Sequence, residues 1–371
     1  MDPFEIFLVA PPGLEPLLAA EARAAGFAGV AEQPGGVVVQ GGWPEVWRAN
    51  LELRGASRVL ARIASFRALH LAQLDKRARR VGWSDVLRPD DVPVKVEASC
   101  RASRIYHAGA AAERVARAIT EELGAPVAAE AALRLLVRIE DDLCTISLDT
   151  SGEPLHRRGH KQAVNPAPMR ETLAALFLRA CGYDGTEPVL DPMCGAGTFV
   201  IEAAEIAAGL MPGRTRAFAF EALASFDAEA WAGMKTRPPA SDPGLRFIGA
   251  DRDAGAITMS RANAERAGVT AFTRFDRAAI SDLQRPEGPA GLVIVNPPYG
   301  GRIGNRKLLF GLYAALGQVL RDRFGGWRVG LVTADAGLAR TTDLPFGPPG
   351  PIVPHGGLKI RLWQTDPLPL R

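Results

Sequence analysis

Residues 189–201, VLDPMCGAGTFVI, leave the chain few folds to choose from. Val189 and Leu190 end an apolar, β-leaning run. An acid, a proline and a Gly-x-Gly turn follow, and residues 198–210 then carry apolar side chains at helical spacing. Strand, tight glycine turn and helix in that order open a parallel βα unit. The glycines permit positive φ and let a ligand approach bare backbone. The helix N-terminus behind them offers unpaired N–H groups and a partial positive charge. A dinucleotide fingerprint needs a third glycine where Val200 stands, and a Walker A loop needs Gly-Lys-Ser/Thr, which is absent.

A second stretch, GLVIVNPPYG at residues 291–300, reads as a buried strand over 292–295 closed by Asn-Pro-Pro-Tyr. Two prolines fix φ and lack N–H donors, so the strand ends stiffly. An amide and an aromatic ring are left at its carboxyl end, where open α/β sheets bind ligands. Around these two stretches strands and helices alternate from residue 165 to the C-terminus. That alternation predicts an α/β domain with a doubly wound, mostly parallel sheet. The last two predicted strands, 328–333 and 358–364, have no long helix between them, which suits an antiparallel ending.

Residues 4–53 read as a small α/β unit without chemistry: a strand, a helix closed by Gly26, a β-branched stretch at 37–40 and a second helix. Residues 54–150 form a second unit of strands and two helices. Charge is uneven here. Residues 1–53 hold 2 basic and 7 acidic side chains, whereas residues 54–117 hold 14 basic and 6 acidic ones. A basic block inside a nearly neutral chain is the footprint expected for a phosphate backbone. It also fits plain arginine-rich usage, since only 6 of 44 basic residues are lysine. Lys76, Arg77, Arg79 and Arg80 are expected on the exposed face of one helix, and Arg101, Arg104 and His107 in a basic loop, SCRASRIYH. His107 has no second histidine at ligand spacing. The polar run LDTSGEPLHRRGHK, with Arg157 and Arg158, is expected to be a linker into the catalytic half.

No apolar run reaches the ~18–20 residues of a membrane span, and the first residues lack the basic start of a signal peptide. Cys100, Cys144, Cys181 and Cys194 form no CxxC pair, so neither a disulfide framework nor a metal site is expected, and a reducing, cytoplasmic setting fits.

The two motifs together resemble class I S-adenosylmethionine-dependent methyltransferases acting on a planar exocyclic amine. From about residue 50 onward LHRRG, RETLAA, LDPMCGAGT, NPPYG and FGGWR resemble THUMP-containing RNA guanine-N2 methyltransferases, the RlmL type on large-subunit rRNA first and the TrmN type on tRNA next. The resemblance implies a ferredoxin-like α+β unit at 1–53, a THUMP RNA-binding domain at 54–150, a linker at 151–164 and a Rossmann-like methyltransferase domain with a seven-stranded sheet at 165–371. It implies S-adenosylmethionine held by Asp191, Pro192, Cys194, Gly195, Gly197, Thr198 and Asp251. Ala279 stands where the family often has an acid for the adenine amine; Asp276, Asp282 or a backbone carbonyl are the alternatives. Asn296, Pro297, Pro298 and Tyr299 would form the target-amine motif, Tyr299 by stacking on the base, with Arg302 following. Cys194 is read as packing. The implied partner is structured RNA; oligomeric state is not legible. Asn-Pro-Pro-Tyr also occurs in DNA adenine-N6 and protein glutamine-N5 methyltransferases. A further alternative is an RNA-binding protein on a silent methyltransferase fold.

Overall fold

The computed structural model describes residues 3–89, 92–162, 169–236, 243–244, 246–299 and 306–370. The chain folds into two compact units. The first comprises Met1–Ala10, Leu18–Leu155 and Gly213–Arg237, the second Pro11–Leu17, His156–Pro212 and Pro238–Arg371.

In the first unit, β1 (Phe4–Val9), α1 (Glu15–Ala24), β2 (Ala28–Gln33), β3 (Gly36–Gly41), α2 (Trp43–Glu52) and β4 (Arg58–Arg67) form a β-α-β-β-α-β module. The sequence reading missed β2, whose AGVAEQ carries little β-branched character. Side chains alternate along β1: Ile6 and Leu8 are wholly buried on one face, while Phe7 joins Val38 and Leu60 on the other. β4 pairs with β1 and also with β7 (Leu143–Asp149), so the module's last strand lies beyond residue 53 and the sheet runs on without a break. After α3 (Leu71–Ala78) come β5 (Val94–Arg101), α4 (Ala108–Leu123) and β6 (Leu133–Glu140). β5 and β6 are parallel with α4 as crossover. The finished sheet has the order β2-β3-β1-β4-β7-β6-β5.

The second unit begins with α5 (Glu171–Ala180), β8 (Val189–Asp191) and α6 (Thr198–Ala207). The chain then departs to α7 (Ala228–Lys235) in the first unit. This corrects the sequence reading, which kept residues 213–237 with the catalytic half. The reason is aromatic: Phe220 packs against Trp47 of α2 with centroids 6.1 Å apart and against Trp231 at 5.0 Å. Phe220 N–H also donates to the Thr150 carbonyl. The second unit resumes with β9 (Phe247–Asp251), α8 (Ala254–Ala267), β10 (Thr273–Arg277), β11 (Leu292–Val295), α9 (Arg306–Arg323), β12 (Arg328–Thr333), α10 (Ala336–Thr341), β13 (Val353–His355) and β14 (Leu358–Gln364). Its sheet order is β10-β9-β8-β11-β12-β14-β13. The first five of these strands are parallel and the last two antiparallel. Every residue of β8 and β11 is buried and all but Asp191 are apolar, as strands covered on both faces require.

Candidate active site

The order of strands reverses between β8 and β11, which makes their carboxyl ends the switch point where open α/β sheets take ligands. These strands are hydrogen-bonded neighbours, Val189 opposite Leu292 and Leu190 opposite Val293. Both sequence motifs therefore leave the sheet side by side at the same edge.

From β8 the chain makes a loop whose backbone is almost fully specified. Met193 N–H donates to Asp191 Oδ1 at 3.0 Å, Cys194 N–H to the Ala250 carbonyl and Gly197 N–H to the Cys194 carbonyl. Gly195 and Gly197 have φ of 53° and 80°, a region that costs other residues dearly. A Cβ on Gly197 would also stand 3.1 Å from the Phe275 ring. Gly197 caps α6, and Thr198 is its buried first residue. Pro192 and Cys194 are buried; burial pushes the Cys194 thiol far up, and its sulfur lies 3.8 Å from Ser260 Oγ. That is the environment of a packing residue and not of a thiolate nucleophile.

Two carboxylates flank the loop. Asp191 is 3% exposed, and burial pushes its carboxyl up to about 8, offset by the Met193 N–H and reinforced by Asp251. Asp251 ends β9 half-buried. Its Oδ2 accepts from Gly195 N–H at 3.1 Å and its Oδ1 from Asp253 N–H at 2.9 Å. A carboxylate has about four lone-pair sites, so Asp251 retains acceptor capacity for a pair of hydroxyls. Asp253 caps α8, accepting from Gly255 N–H. Ala279 is exposed at the start of a 3-10 turn, Asp276 is engaged by Arg274 at 2.8 Å, and Asp282 is exposed beside Ser281 Oγ.

From β11, Asn296 follows half-buried with Pro297 buried behind it. Asn296 Oδ1 is shielded from solvent and has no hydrogen-bond partner among the described residues. A buried acceptor left in that state costs roughly 1–3 kcal/mol, which is tolerated where a ligand completes the pairing. Tyr313 on α9 braces the turn: its buried hydroxyl donates to the Pro298 carbonyl at 3.3 Å and lies equally close to Thr333 Oγ1. Burial raises that phenol's pKa. Nothing in FGLYAALG marks it out from an ordinary apolar helix position. Tyr299 is 2% exposed, so the free stacking face expected from sequence is not presented in this arrangement. Arg302 lies outside the described residues.

The expected RNA-contacting cations divide. Arg158 is buried and bonds Glu202 of α6 at 3.3 Å, so it is a structural residue and the expectation of an RNA contact there is corrected. Arg79 is gripped by Asp75, Glu121 and Glu122, which raise its pKa further and occupy its donors. Lys76 and Arg80 are exposed and Arg77 half-exposed, without ion pairs among the described residues. Arg101 and Arg104 are exposed, with distant partners in Glu140 and Asp142 at 3.4 and 3.8 Å. His107 caps α4, its Nδ1 accepting from Ala110 N–H. Arg157 is exposed. The linker around it is no solvated tether: His160 faces Glu205 at 4.0 Å and Lys161 faces Glu171 at 3.5 Å, all nearly buried.

Renumbered from β8, the sheet reads 3-2-1-4-5-7-6, and with a glycine loop after its first strand and Asn-Pro-Pro-Tyr after its fourth it defines a class I methyltransferase fold. The sequence agrees. Residues 158–344, half of the chain, match the RMKL-like methyltransferase domain, and the chain belongs to that family. Residues 5–60 match the RlmL ferredoxin-like domain. A ribosomal RNA large subunit methyltransferase K/L from Syntrophotalea carbinolica is 38% identical over 91% of this chain and 50% of its own length. One of the same name from Methylococcus capsulatus is 33% identical over 99% of this chain and 52% of its own. The chain thus spans about half the length of these curated relatives. Among solved structures, one described as a predicted N6-adenine-specific DNA methylase from Listeria monocytogenes superposes with a TM-score of 0.88 at 28% identity, covering 99% of this chain and 97% of that one.

Proposed function

We propose that this protein transfers a methyl group from S-adenosylmethionine to the exocyclic N2 amine of a guanosine in structured RNA, with large-subunit rRNA as the substrate and tRNA as the next choice. The observation that carries the reading is the buried, unsatisfied oxygen of Asn296 beside the glycine loop.

The residues fit the cofactor. The loop at Gly195 and Gly197 takes positive φ, which favours glycine, Asp251 has acceptor capacity left for the ribose hydroxyls, and Asp191 has a second carboxyl oxygen for the amino group. When bound, S-adenosylmethionine supplies an electrophilic methyl on a good leaving group. The chain's share is then positioning, which matters most for an in-line transfer. An aromatic amine is a poor nucleophile because its lone pair is delocalised into the ring. Asn296 Oδ1 and the Pro297 carbonyl accept its two N–H bonds, hold the nitrogen at the strand end and favour its pyramidal form. The proton leaves after positive charge has developed on nitrogen, so no strong base is required.

The N-terminal half supports RNA over DNA or protein. Its basic helix α3 and the loop before α4 would grip a phosphate backbone in the manner of a THUMP domain, while the target base is flipped out. The relatives named as rRNA methyltransferases favour large-subunit rRNA. The test is nucleoside mass spectrometry of RNA from a deletion strain, fractionated into rRNA and tRNA. Loss of N2-methylguanosine from large-subunit rRNA is expected. Loss of N6-methyladenosine instead would overturn the reading.

A further inference from the structure

The glycine loop is clasped from one side by α8, which no motif announces. Ser260 and Asn263 stand three residues apart on one face of that helix, both wholly buried. The Ser260 hydroxyl donates to the Gly195 carbonyl at 2.7 Å, and Asn263 Nδ2 donates to the Ala196 carbonyl at 3.0 Å. Two consecutive loop carbonyls are drawn toward α8. Because a peptide unit is planar and trans, the Ala196 N–H, opposite the Gly195 carbonyl, points away from that helix.

An amide side chain has a donor at one end and an acceptor at the other. Reversed, Asn263 would set its oxygen against the Ala196 oxygen. Arg266, one turn further along α8, prevents this. Its guanidinium can only donate; Nη2 bonds Asn263 Oδ1, and Nε donates to the His160 carbonyl at 2.6 Å. Arg266 itself lies at the surface.

We propose that Asn263 and Arg266 are positioning residues for the cofactor. Arg266 fixes the sense of the Asn263 amide, and that sense holds the loop with the Ala196 N–H aimed at the methionine end of S-adenosylmethionine. The inference rests on the cofactor reading given above and deepens it.

The experiment is calorimetric titration of the full chain with S-adenosylmethionine, without RNA, for the wild type, Asn263→Asp and Arg266→Met. Aspartate has the shape of asparagine and keeps its bond to Arg266, but it turns an oxygen toward the Ala196 carbonyl. Asn263→Asp is expected to raise the Kd about tenfold or more, as a lost buried hydrogen bond does, and to lower the melting temperature too, so the exposed Arg266→Met is read beside it. Amides 195–198 of the ligand-free variant should exchange faster with deuterium. Arg266→Met, at an exposed position, is expected to raise the Kd several-fold, with Arg266→Lys restoring part of it. Should Asn263→Asp fail to fold, Arg266→Met decides. Wild-type Kd and exchange in the folded variants would overturn the proposal and leave the cofactor reading standing. A wild-type chain that does not bind would overturn that reading instead.

Discussion

On the proposed reading Asn296, with its buried Oδ1 unpartnered among the described residues, would carry the amine-orienting chemistry. Replacing it with alanine removes the oxygen that would orient the amine and leaves the glycine loop untouched. Asn296→Ala should therefore lose turnover by about 100-fold or more while retaining wild-type affinity for S-adenosylmethionine; calorimetry beside a radiolabelled methyl-transfer assay separates the two. Asp191 gives the site a pH signature. Its carboxyl is raised from 3.8 to about 8 by burial, so it is mostly protonated in the ligand-free protein at neutral pH. A group with a raised folded pKa contributes stability below its unfolded value and loses it as pH rises through the folded one. The ligand-free protein should thus lose stability between about pH 4 and pH 8 on this group's account. A cationic amino group beside Asp191 favours the ionised form, so binding releases a proton and affinity climbs with pH until about pH 8. Titrations at pH 7 in buffers of different ionisation enthalpy would show that release, and Asp191→Asn should abolish it. These two residues were legible because each stands at a strand end next to glycine or proline. Tyr313, Ser260, Asn263 and Arg266 were not, because they act through backbone atoms of segments distant in sequence.

At the scale of elements, α6 shows how a sequence can mislead. Glu202 and Glu205 look like the wet face of an amphipathic helix, yet they are 1% and 0% exposed. They are matched by Arg158 and His160 from the polar run before α5. Neither partner reveals the other, since Arg158 and Glu202 are 44 residues apart. The run before α5 reads as hydrophilic, and the two acids stand out in an otherwise apolar α6, until they are brought together. Burial of the run also pushes His156 down to about 4, helped by Arg170 and Arg157, so that imidazole is neutral at pH 7. Glu202→Ala removes a buried carboxylate partner of Arg158 and should destabilise the protein by about 3–5 kcal/mol, read as a lowered denaturation midpoint. Arg158→Met should cost less, because the buried Glu202 carboxyl can take up a proton whereas a guanidinium cannot lose one. The βα alternation itself was read correctly from periodicity, and the boundaries that moved, such as Glu171 for the start of α5, did so where prolines cluster.

For the whole molecule, charge and connectivity are the two properties that reach beyond single elements. With Arg79 tied to three acids, the cations that α3 would offer to RNA on the proposed reading are Lys76, Arg77 and Arg80. Replacing Lys76 and Arg80 together by alanine should weaken RNA binding several-fold and flatten its salt dependence by up to about two charges. Affinity for S-adenosylmethionine should not change; anisotropy titrations over a salt series would measure the first and calorimetry the second. Connectivity bears on how the chain can be cut. Because Phe220 sits against Trp47, with Trp231 packed on Phe220, although both follow α6 in sequence, no single scission yields two intact bodies. A fragment ending at residue 155 would expose an indole surface and aggregate, and one starting at 156 would trail a sticky aromatic arm. Anyone building a minimal methyltransferase-fold piece would have to excise residues 213–237, bridge the gap and keep residues 11–17, and any gene rearrangement that moved the first unit onto another protein would have had to carry three separated stretches of chain, not one.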